Sequence, residues 1–289
     1  MELQVDQEYI NQSQKHINNT ESNNDIQNNE ENPILKLTIR KRIKLETIIL
    51  ENGNKYTGEW LNKLKDGFGK QIWQDGSVYE GYWVQNKMHG HGKLTHPDGD
   101  YYEGNWKNDK ACGEGIYKHK EGAIFSGQWK NDKQNGFGKE NWPNGIFYEG
   151  NYLDGQKYGK GILKFNDGSS YEGEFKDNKI NGYGIYNWND GRIYSGLWSN
   201  NQMNGQGKLE WADGKSYDGE FKNDLKHGQG LFKWPDGRKY LGVWVNGQQN
   251  GQGVYYLSNG EYKVGLWENG VRVKWLNSEE SNNKKQNNN

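Results

Sequence analysis

The chain has 289 residues and a formal net charge of −1, with 31% hydrophobic and 14% aromatic residues. A charge this close to zero excludes the strongly basic surface expected of a nucleic-acid-binding domain. The 13 Trp and 19 Tyr exclude a fully disordered chain, because such chains are poor in aromatic rings.

Both ends of the chain are polar and lack an apolar period. Residues 1–32 and 277–289 are rich in Asn, Gln, Glu and Asp, a composition that predicts disordered tails. The N-terminus lacks the apolar segment of a signal peptide, and no apolar run reaches the ~20 residues of a membrane-spanning helix. The single cysteine, Cys112, allows no intrachain disulfide. We therefore expect a soluble, cytoplasmic protein.

Residues 33–50 are predicted to form one or more basic capping strands. Apolar residues occupy odd positions from Leu35 to Leu45, the period of a half-buried strand. Basic residues on an edge strand discourage end-to-end pairing, and they would also suit an anionic membrane surface. This basic strip consists of Lys36, Arg40, Lys41, Arg42 and Lys44.

Residues 51–276 are predicted to form an array of ten repeats. From Tyr56 onward an aromatic-x-Gly-x-aromatic block recurs every 23 residues without insertion or deletion, and a tenth, partial copy keeps Gly265 and Trp267. All 41 glycines lie in register with this period, and 12 of the 13 tryptophans occupy only two positions of it. Internal periods of this length are typical of repeat architectures.

Each repeat has the pattern of a β-hairpin. In the first repeat, Tyr56 and Trp60 share one face of a strand. The polar residues 62–66 predict a loop, after which Gly67 and Gly69 are expected on the same face of a second strand. An Asp-Gly or Asn-Gly pair closes most repeats and is the strongest short signal of a hairpin turn.

The glycines on the ring-bearing face leave slots that rings from a neighbouring strand can cover. The predicted fold is therefore all-β: an elongated, single-layer, twisted antiparallel sheet of tandem hairpins. At ~10 Å per repeat it would be a rod of roughly 90–100 Å. Its aromatic side chains are expected to line a shallow groove that a partner can contact. These groove aromatics are Tyr79, Trp83, Tyr102, Trp106, Tyr148, Tyr171, Tyr194, Trp198, Trp211 and Trp234.

The blocks Tyr79-Glu80-Gly81-Tyr82-Trp83 and Tyr171-Glu172-Gly173-Glu174-Phe175, each followed by Gly-x-Gly, resemble the MORN repeat. The resemblance covers about residues 47–270. It implies a sheet of hairpins with roles in scaffolding, membrane–cytoskeleton attachment, and ciliary or cell-division structures. Some members of this family were proposed to bind phospholipids, and others are regulatory segments of phosphatidylinositol-phosphate kinases or histone methyltransferases. The Asn- and Gln-rich tails suggest a protist source.

No group of residues predicts catalysis, a metal site or a cofactor site. His89, His91 and His96 are close in sequence but are expected to diverge, and His119 would stand ~10 Å from His96, too far to share a zinc ion. The Gly-x-Gly pairs lack the third glycine and the following helix of a dinucleotide site. Glu59 and its equivalents recur on a solvated face, whereas acid–base catalysis needs a desolvated carboxyl group. We expect no cofactor and no nucleic-acid partner.

Three functional hypotheses follow. The first is a non-catalytic scaffold that binds extended protein partners, cytoskeletal or ciliary, along the groove or the sheet edges. The second is a peripheral membrane adaptor that binds acidic phospholipids through the basic strip, which liposome sedimentation with and without residues 1–50 would test. The third is a separate-chain regulatory partner of a lipid kinase, since only a short polar segment follows Trp275. Neither the partner nor the oligomeric state is specified by the sequence.

Overall fold

The computed structural model describes residues 41–276, and all regular structure in this range is β-strand. Twenty-one strands form one open antiparallel sheet, in which each strand pairs with the strands before and after it in sequence. This confirms the predicted all-β array of tandem hairpins. The predicted tails, 1–32 and 277–289, lie outside the described residues, as do Lys36 and Arg40 of the basic strip.

The strands are β1 Ile43–Ile49, β2 Lys55–Leu61, β3 Leu64–Ile72, β4 Val78–Val84, β5 Lys87–Thr95, β6 Tyr101–Lys107, β7 Lys110–Lys118, β8 Ile124–Lys130, β9 Lys133–Asn141, β10 Phe147–Leu153, β11 Gln156–Lys164, β12 Ser170–Lys176, β13 Lys179–Asn187, β14 Ile193–Ser199, β15 Gln202–Glu210, β16 Ser216–Lys222, β17 Leu225–Lys233, β18 Lys239–Val245, β19 Gln248–Tyr256, β20 Tyr262–Glu268 and β21 Val271–Trp275.

Two different turns alternate along the array: a two-residue hairpin tip within each repeat and a five-residue connection between strands of successive repeats. The sequence interpretation did not distinguish them correctly. The hairpin tip is the two-residue turn Asn62-Lys63, in which both residues have positive φ (52° and 67°), as in a type I′ turn. The predicted loop at 62–66 is therefore wrong, because β3 already begins at Leu64. The Asp-Gly pair instead belongs to the five-residue connection between repeats, where Gly76 N–H donates to Trp73 O at 3.1 Å.

The tyrosines that open the repeats form the centre of the core. We call the face that bears them the inner face, and the set Tyr56, Tyr79, Tyr102, Phe125, Tyr148, Tyr171, Tyr194, Tyr217 and Tyr240 the tyrosine column. The Tyr56 ring lies across Gly58 and Gly69, and a Cβ atom at Gly69 would overlap this ring. Tyr56 Oη donates a hydrogen bond to Glu59 O at 3.1 Å. A ring over glycine backbone thus replaces the second layer that an ordinary sheet needs.

A second column of rings joins each repeat to the next. It consists of Trp60, Trp83, Trp106, Trp129, Tyr152, Phe175, Trp198, Phe221, Trp244 and Trp267, and we call it the tryptophan column. Tyr56 contacts Trp60 of its own repeat edge-to-face at 5.0 Å and Trp83 of the next repeat at 5.6 Å. Trp83 Nε1 donates to Gly69 O at 3.1 Å. Such ring pairs stabilise by about 0.5–1.5 kcal/mol beyond their burial.

The first glycine of a Gly-x-Gly pair does not face the rings, contrary to the sequence interpretation. A register shift interrupts the pairing of β2 with β3 between Gly58 and Trp60. At this bulge Gly67 has φ +105°, and a Cβ atom there would overlap the Glu59 carboxylate on the outer face. The bulge reverses the side-chain direction that simple alternation predicts. Of the pair Gly67 and Gly69, only Gly69 lies beneath a ring.

Strand β1 lies at one edge of the sheet and pairs with β2. Its Ile43 and Leu45 are 54% and 36% exposed, so these two odd positions are less buried than the alternation predicts. The reason is that β1 has a neighbour on one side only and carries no ring of either column. No helix in the described part of the chain has the length and apolarity needed to span a bilayer.

Candidate functional site

Eight of the ten predicted groove aromatics lie in the core rather than on an accessible surface. Tyr79, Tyr148, Tyr171 and Tyr194 have no exposed area, and Tyr102, Trp83, Trp106 and Trp198 are at most 6% exposed. Burial raises the pKa of the hydroxyl of Tyr240, another member of the tyrosine column, to about 12. These residues hold the repeats together. Only Trp211 and Trp234 of the predicted set are partly exposed.

A separate row of partly exposed rings runs along the inner face. They stand at the first position of the five-residue connections, and we call the set the edge row: Trp73, His96, His119, Trp142, Phe165, Trp188, Trp211 and Trp234. Every member is half-buried except His119, which is exposed. The edge row therefore offers one accessible ring at the same place in each of eight successive repeats.

The middle of the edge row borders an open trough of about 500 Å³. One wall carries Trp142, Phe165 and Trp188, and the other carries Asn178, Asn201 and Asp224 from the hairpin tips. We call this feature the ring trough. Its three rings come from successive repeats, so it runs across the strands along the axis of the array.

The wall of hairpin tips is fixed by bonds between repeats, a feature that the sequence interpretation missed. Asn201 N–H donates to Ile180 O at 3.0 Å, and its Oδ1 accepts from Ile180 N–H at 2.8 Å. Asn178 makes the same pair of bonds with Lys157. Where the tip residue is glycine, as at Gly155, only the backbone bond remains. The recurring Asn or Asp at this position was the available signal.

Three lysines on the inner face sit among rings. Lys65 Nζ lies 3.9 Å from the centroid of the Trp83 ring, and burial lowers the pKa of its ammonium group to about 8. Lys157 Nζ pairs with Glu140 at 2.9 Å. Burial also lowers the pKa of Lys226, which contacts four rings and has no carboxylate partner among residues 41–276. The equivalents of Glu140 beside it are Leu209 and Phe232.

The outer face is charged toward the N-terminus and apolar toward the C-terminus. In the first repeats, Lys and Glu stand directly opposite each other: Lys70–Glu80 at 3.4 Å, Lys93–Glu103 at 3.3 Å and Lys139–Glu149 at 3.1 Å. In the last repeats, Leu231, Leu241, Val254 and Val264 are opposed across β17 to β20. Between them an open hollow of about 530 Å³ includes Phe137 and Tyr183.

In the described part of the basic strip, not every side chain is available to bind an anionic surface. Arg42 Nε donates to Asp66 Oδ1 at 2.8 Å, so this guanidinium is already paired within the sheet. Lys41 and Lys44 are exposed. The phospholipid hypothesis stays a prediction, to which Arg42 contributes less than the sequence suggested.

The histidines take separate positions. His119 Nδ1 lies 3.0 Å from Asp100 Oδ2, and Tyr117 Oη donates to the same oxygen. The pKa of the Asp100 carboxyl is held below its usual value, chiefly by a hydrogen bond from the Lys120 backbone N–H and then by the contacts with Tyr117 and His119. Within residues 41–276, no three His, Cys, Asp or Glu side chains are grouped to hold a metal ion.

The family model of the MORN repeat matches nine consecutive segments: residues 56–78, 79–101, 102–123, 125–146, 148–170, 171–191, 194–216, 217–237 and 240–262. These segments cover most of the chain, which therefore belongs to the MORN repeat family. The tenth hairpin, β20–β21, is outside the match but keeps Gly265 and Trp267 in register.

No curated protein matches the chain. Among solved structures, the SAS-4 TCP domain of Drosophila melanogaster in complex with a proline-rich motif of Ana2 is 16% identical, covering 68% of this chain and 99% of that chain, with a TM-score of 0.31. The G-box domain of the microcephaly protein CPAP is 13% identical (77% and 99% covered, TM-score 0.33). Virginiamycin B lyase of Staphylococcus aureus is 16% identical (82% and 75%, TM-score 0.14).

Proposed function

We propose that this MORN repeat protein is a non-catalytic scaffold that binds extended protein partners, cytoskeletal or ciliary, along its repeat array. The observation that carries the proposal is the edge row: one accessible ring at the same place on each of eight successive hairpins. Accessible aromatic side chains are typical anchors in protein interfaces. A surface that repeats along an axis suits a partner that is itself extended along that axis.

The titratable groups support a structural rather than a catalytic role. The groups whose pKa is most raised by burial are tyrosines of the two ring columns, and their hydroxyls already donate to backbone carbonyls or to Glu140. The lysines with lowered pKa contact rings of the core. Each of these groups is thus engaged in packing the array.

A repeat-deletion series tests the proposal. Partners are first identified by pull-down and mass spectrometry from a cytoskeletal fraction, and one partner is then produced in pure form. Removing one whole 23-residue repeat, such as 148–170, should shorten the array, keep its fold and weaken binding in steps as further repeats are removed. The proposal fails if one point substitution abolishes binding without unfolding, or if the purified protein turns over a phosphorylated lipid or a nucleotide.

A further inference from the structure

The rings of the ring trough are spaced like the turns of one kind of peptide. Trp142, Phe165 and Trp188 occupy equivalent positions one hairpin apart, and two strand spacings amount to about 9.6 Å. A polyproline II helix has three residues per turn and rises about 9.3 Å in that turn. An α-helix returns to the same side after seven residues, about 10.5 Å, and would drift by about 1 Å per repeat. Every third residue of a polyproline II segment would therefore meet a ring.

The ring trough presents hydrogen-bond donors that have no acceptor in the protein. Among the described residues, nothing accepts from the indole N–H of Trp142 or Trp188, although both rings are only half-buried. By contrast, the indoles of Trp106 and Trp129 in the tryptophan column donate to glycine carbonyls at 2.9 Å and 3.1 Å. The two edge-row indoles are thus free to donate to a ligand.

The opposite wall adds donors of the same kind. Asn178 and Asn201 use Oδ1 to accept from backbone N–H groups, at 2.8 Å in both cases. Their amide NH₂ groups make no hydrogen bond to any residue in 41–276. The two indoles and the two amides therefore favour a ligand that is rich in acceptors.

Two charged side chains line the ring trough: Lys157, which is paired within the protein, and Asp224, whose Oδ1 accepts from Met203 N–H at 2.8 Å. Lys157 pairs with Glu140 at 2.9 Å, and these side chains are only 16% and 20% exposed. The ammonium group also lies 4.9 Å from the centroid of the Trp142 ring. The trough is thus mostly apolar and rich in donors, and the Asp224 carboxylate has no ion-pair partner in the described part of the chain. Its complement is an apolar ligand that carries no negative charge and whose carbonyls are unpaired.

We propose that the ring trough binds a proline-rich segment of a partner protein in the polyproline II conformation. Proline has no N–H to satisfy, and the polyproline II backbone leaves its carbonyls free to accept from the indoles and amides. The prolines at every third position pack on Trp142, Phe165 and Trp188. The inference rests on the proposed function, because it names the class of extended partner and its place on the scaffold.

The test uses the full chain and acetylated proline peptides of four, seven and ten residues, with a ten-residue Gly-Ser peptide as control. In a ¹H–¹⁵N spectrum the indole signals of Trp142 and Trp188 should shift with the proline peptides, while those of Trp106 and Trp129 stay in place. Affinity should increase from four to seven residues, as a third ring is engaged. Absent shifts, or equal shifts with the Gly-Ser peptide, would overturn the proposal.

Two variants locate the site. Trp188→Leu removes a ring and a donor and should weaken binding at least about fivefold, the factor that ~1 kcal/mol represents. Tyr183→Leu removes a more exposed ring (54%) from the outer face of the same hairpin and should leave binding unchanged. Equal losses in both variants would place the peptide elsewhere. If the proline peptides fail but repeat deletion still weakens binding of a purified partner, this inference is wrong and the scaffold proposal survives.

Discussion

The two faces of the sheet differ in how much they vary along the array. On the inner face, nine of the ten repeats place Tyr or Phe in the tyrosine column, and all ten place Trp, Tyr or Phe in the tryptophan column. On the outer face, the opposed residues change from Lys70 and Glu80 to Leu231 and Leu241. The inner face thus specifies the fold, while the outer face differs from repeat to repeat.

The difference has a geometric cause. An inner position must hold a ring that reaches across a glycine, as Tyr56 does over Gly69, and few side chains satisfy that need. An outer position needs only a compatible side chain opposite it on the neighbouring strand, and such a cross-strand pair contributes about 0.2–1 kcal/mol to stability. Features that distinguish one repeat from another are therefore found on the outer face and in the edge row.

The largest effect is expected at alkaline pH, because the inner face depends on neutral tyrosines. Burial raises the pKa of Tyr56, Tyr79 and Tyr148 well above the ordinary value of 10. The unfolded chain releases these protons at lower pH than the folded chain does, so the free energy of unfolding falls as pH rises above 10. We expect cooperative unfolding in which phenolate absorbance and loss of the β-sheet circular dichroism signal coincide. Gradual phenolate formation with an intact sheet would contradict it.

Lys65 adds a smaller pH dependence of the free energy of unfolding, below the pH of the alkaline transition. Its ammonium has a folded pKa of about 8 against the ordinary 10.5, so the folded state disfavours the charged form. The resulting destabilisation is fully present below about pH 8 and fades as pH rises toward 10.5. Urea midpoints of the parent should therefore increase slightly from pH 7 to 9.5. The variant Lys65→Met should lose part of that increase and keep the part due to Lys226, whose pKa is also lowered by burial.

The next largest effect compares adjacent residues on opposite faces of β10. A Cβ atom at Gly150 would lie 2.5 Å from Tyr148 Oη and 2.6 Å from Gly161 Cα, so Gly150→Val forces the ring or the neighbouring strand to move. We expect a loss of about 3 kcal/mol, the upper part of the range for overpacking. Glu149→Val on the outer face should change stability little, since Val is well accepted in strands. Equal urea midpoints for the two variants would show that the faces are wrongly assigned.

A smaller loss of stability is expected from substitutions at the hairpin tips. These substitutions test whether the inner rings alone join the repeats. Asn201 has φ +68° and makes two hydrogen bonds to Ile180. Asn201→Ala loses the side-chain bond and puts alanine, which tolerates the left-handed region less well than Asn, at this position, for a cost of about 2 kcal/mol. Asn201→Gly loses only the bond and should cost less, because glycine occupies this position in three other repeats. Thermal melts that rank Gly below Ala would contradict this account.

The sequence was sufficient for the repeats, the strands and the inner face, because a period of two within a period of 23 fixes which residues share a face. It was insufficient at Gly67, since a positive φ at a bulge reverses a side chain without changing the residue pattern. It also failed at the tip, where Asn62-Lys63 lacks the glycine that usually marks a type I′ turn. Accessible and buried rings could not be separated, because the residue pattern of the repeat does not show what packs over Trp188 and what packs over Trp198.

The smallest effect is expected for the charged pairs of the outer face. Lys93 and Glu103 are opposed on β5 and β6 with their charged atoms 3.3 Å apart, and their side chains are 42% and 44% exposed. Solvent screening and side-chain entropy reduce such a pair to about 0.5 kcal/mol or less. A double-mutant cycle of Lys93→Ala and Glu103→Ala measures this coupling separately from the contact of Lys93 with the Tyr101 ring. A coupling above about 1 kcal/mol, which buried pairs reach more often than exposed ones, would mean that the outer face also determines the fold. A coupling near zero leaves the outer face free to change from charged to apolar along the array, as it does between β3 and β20.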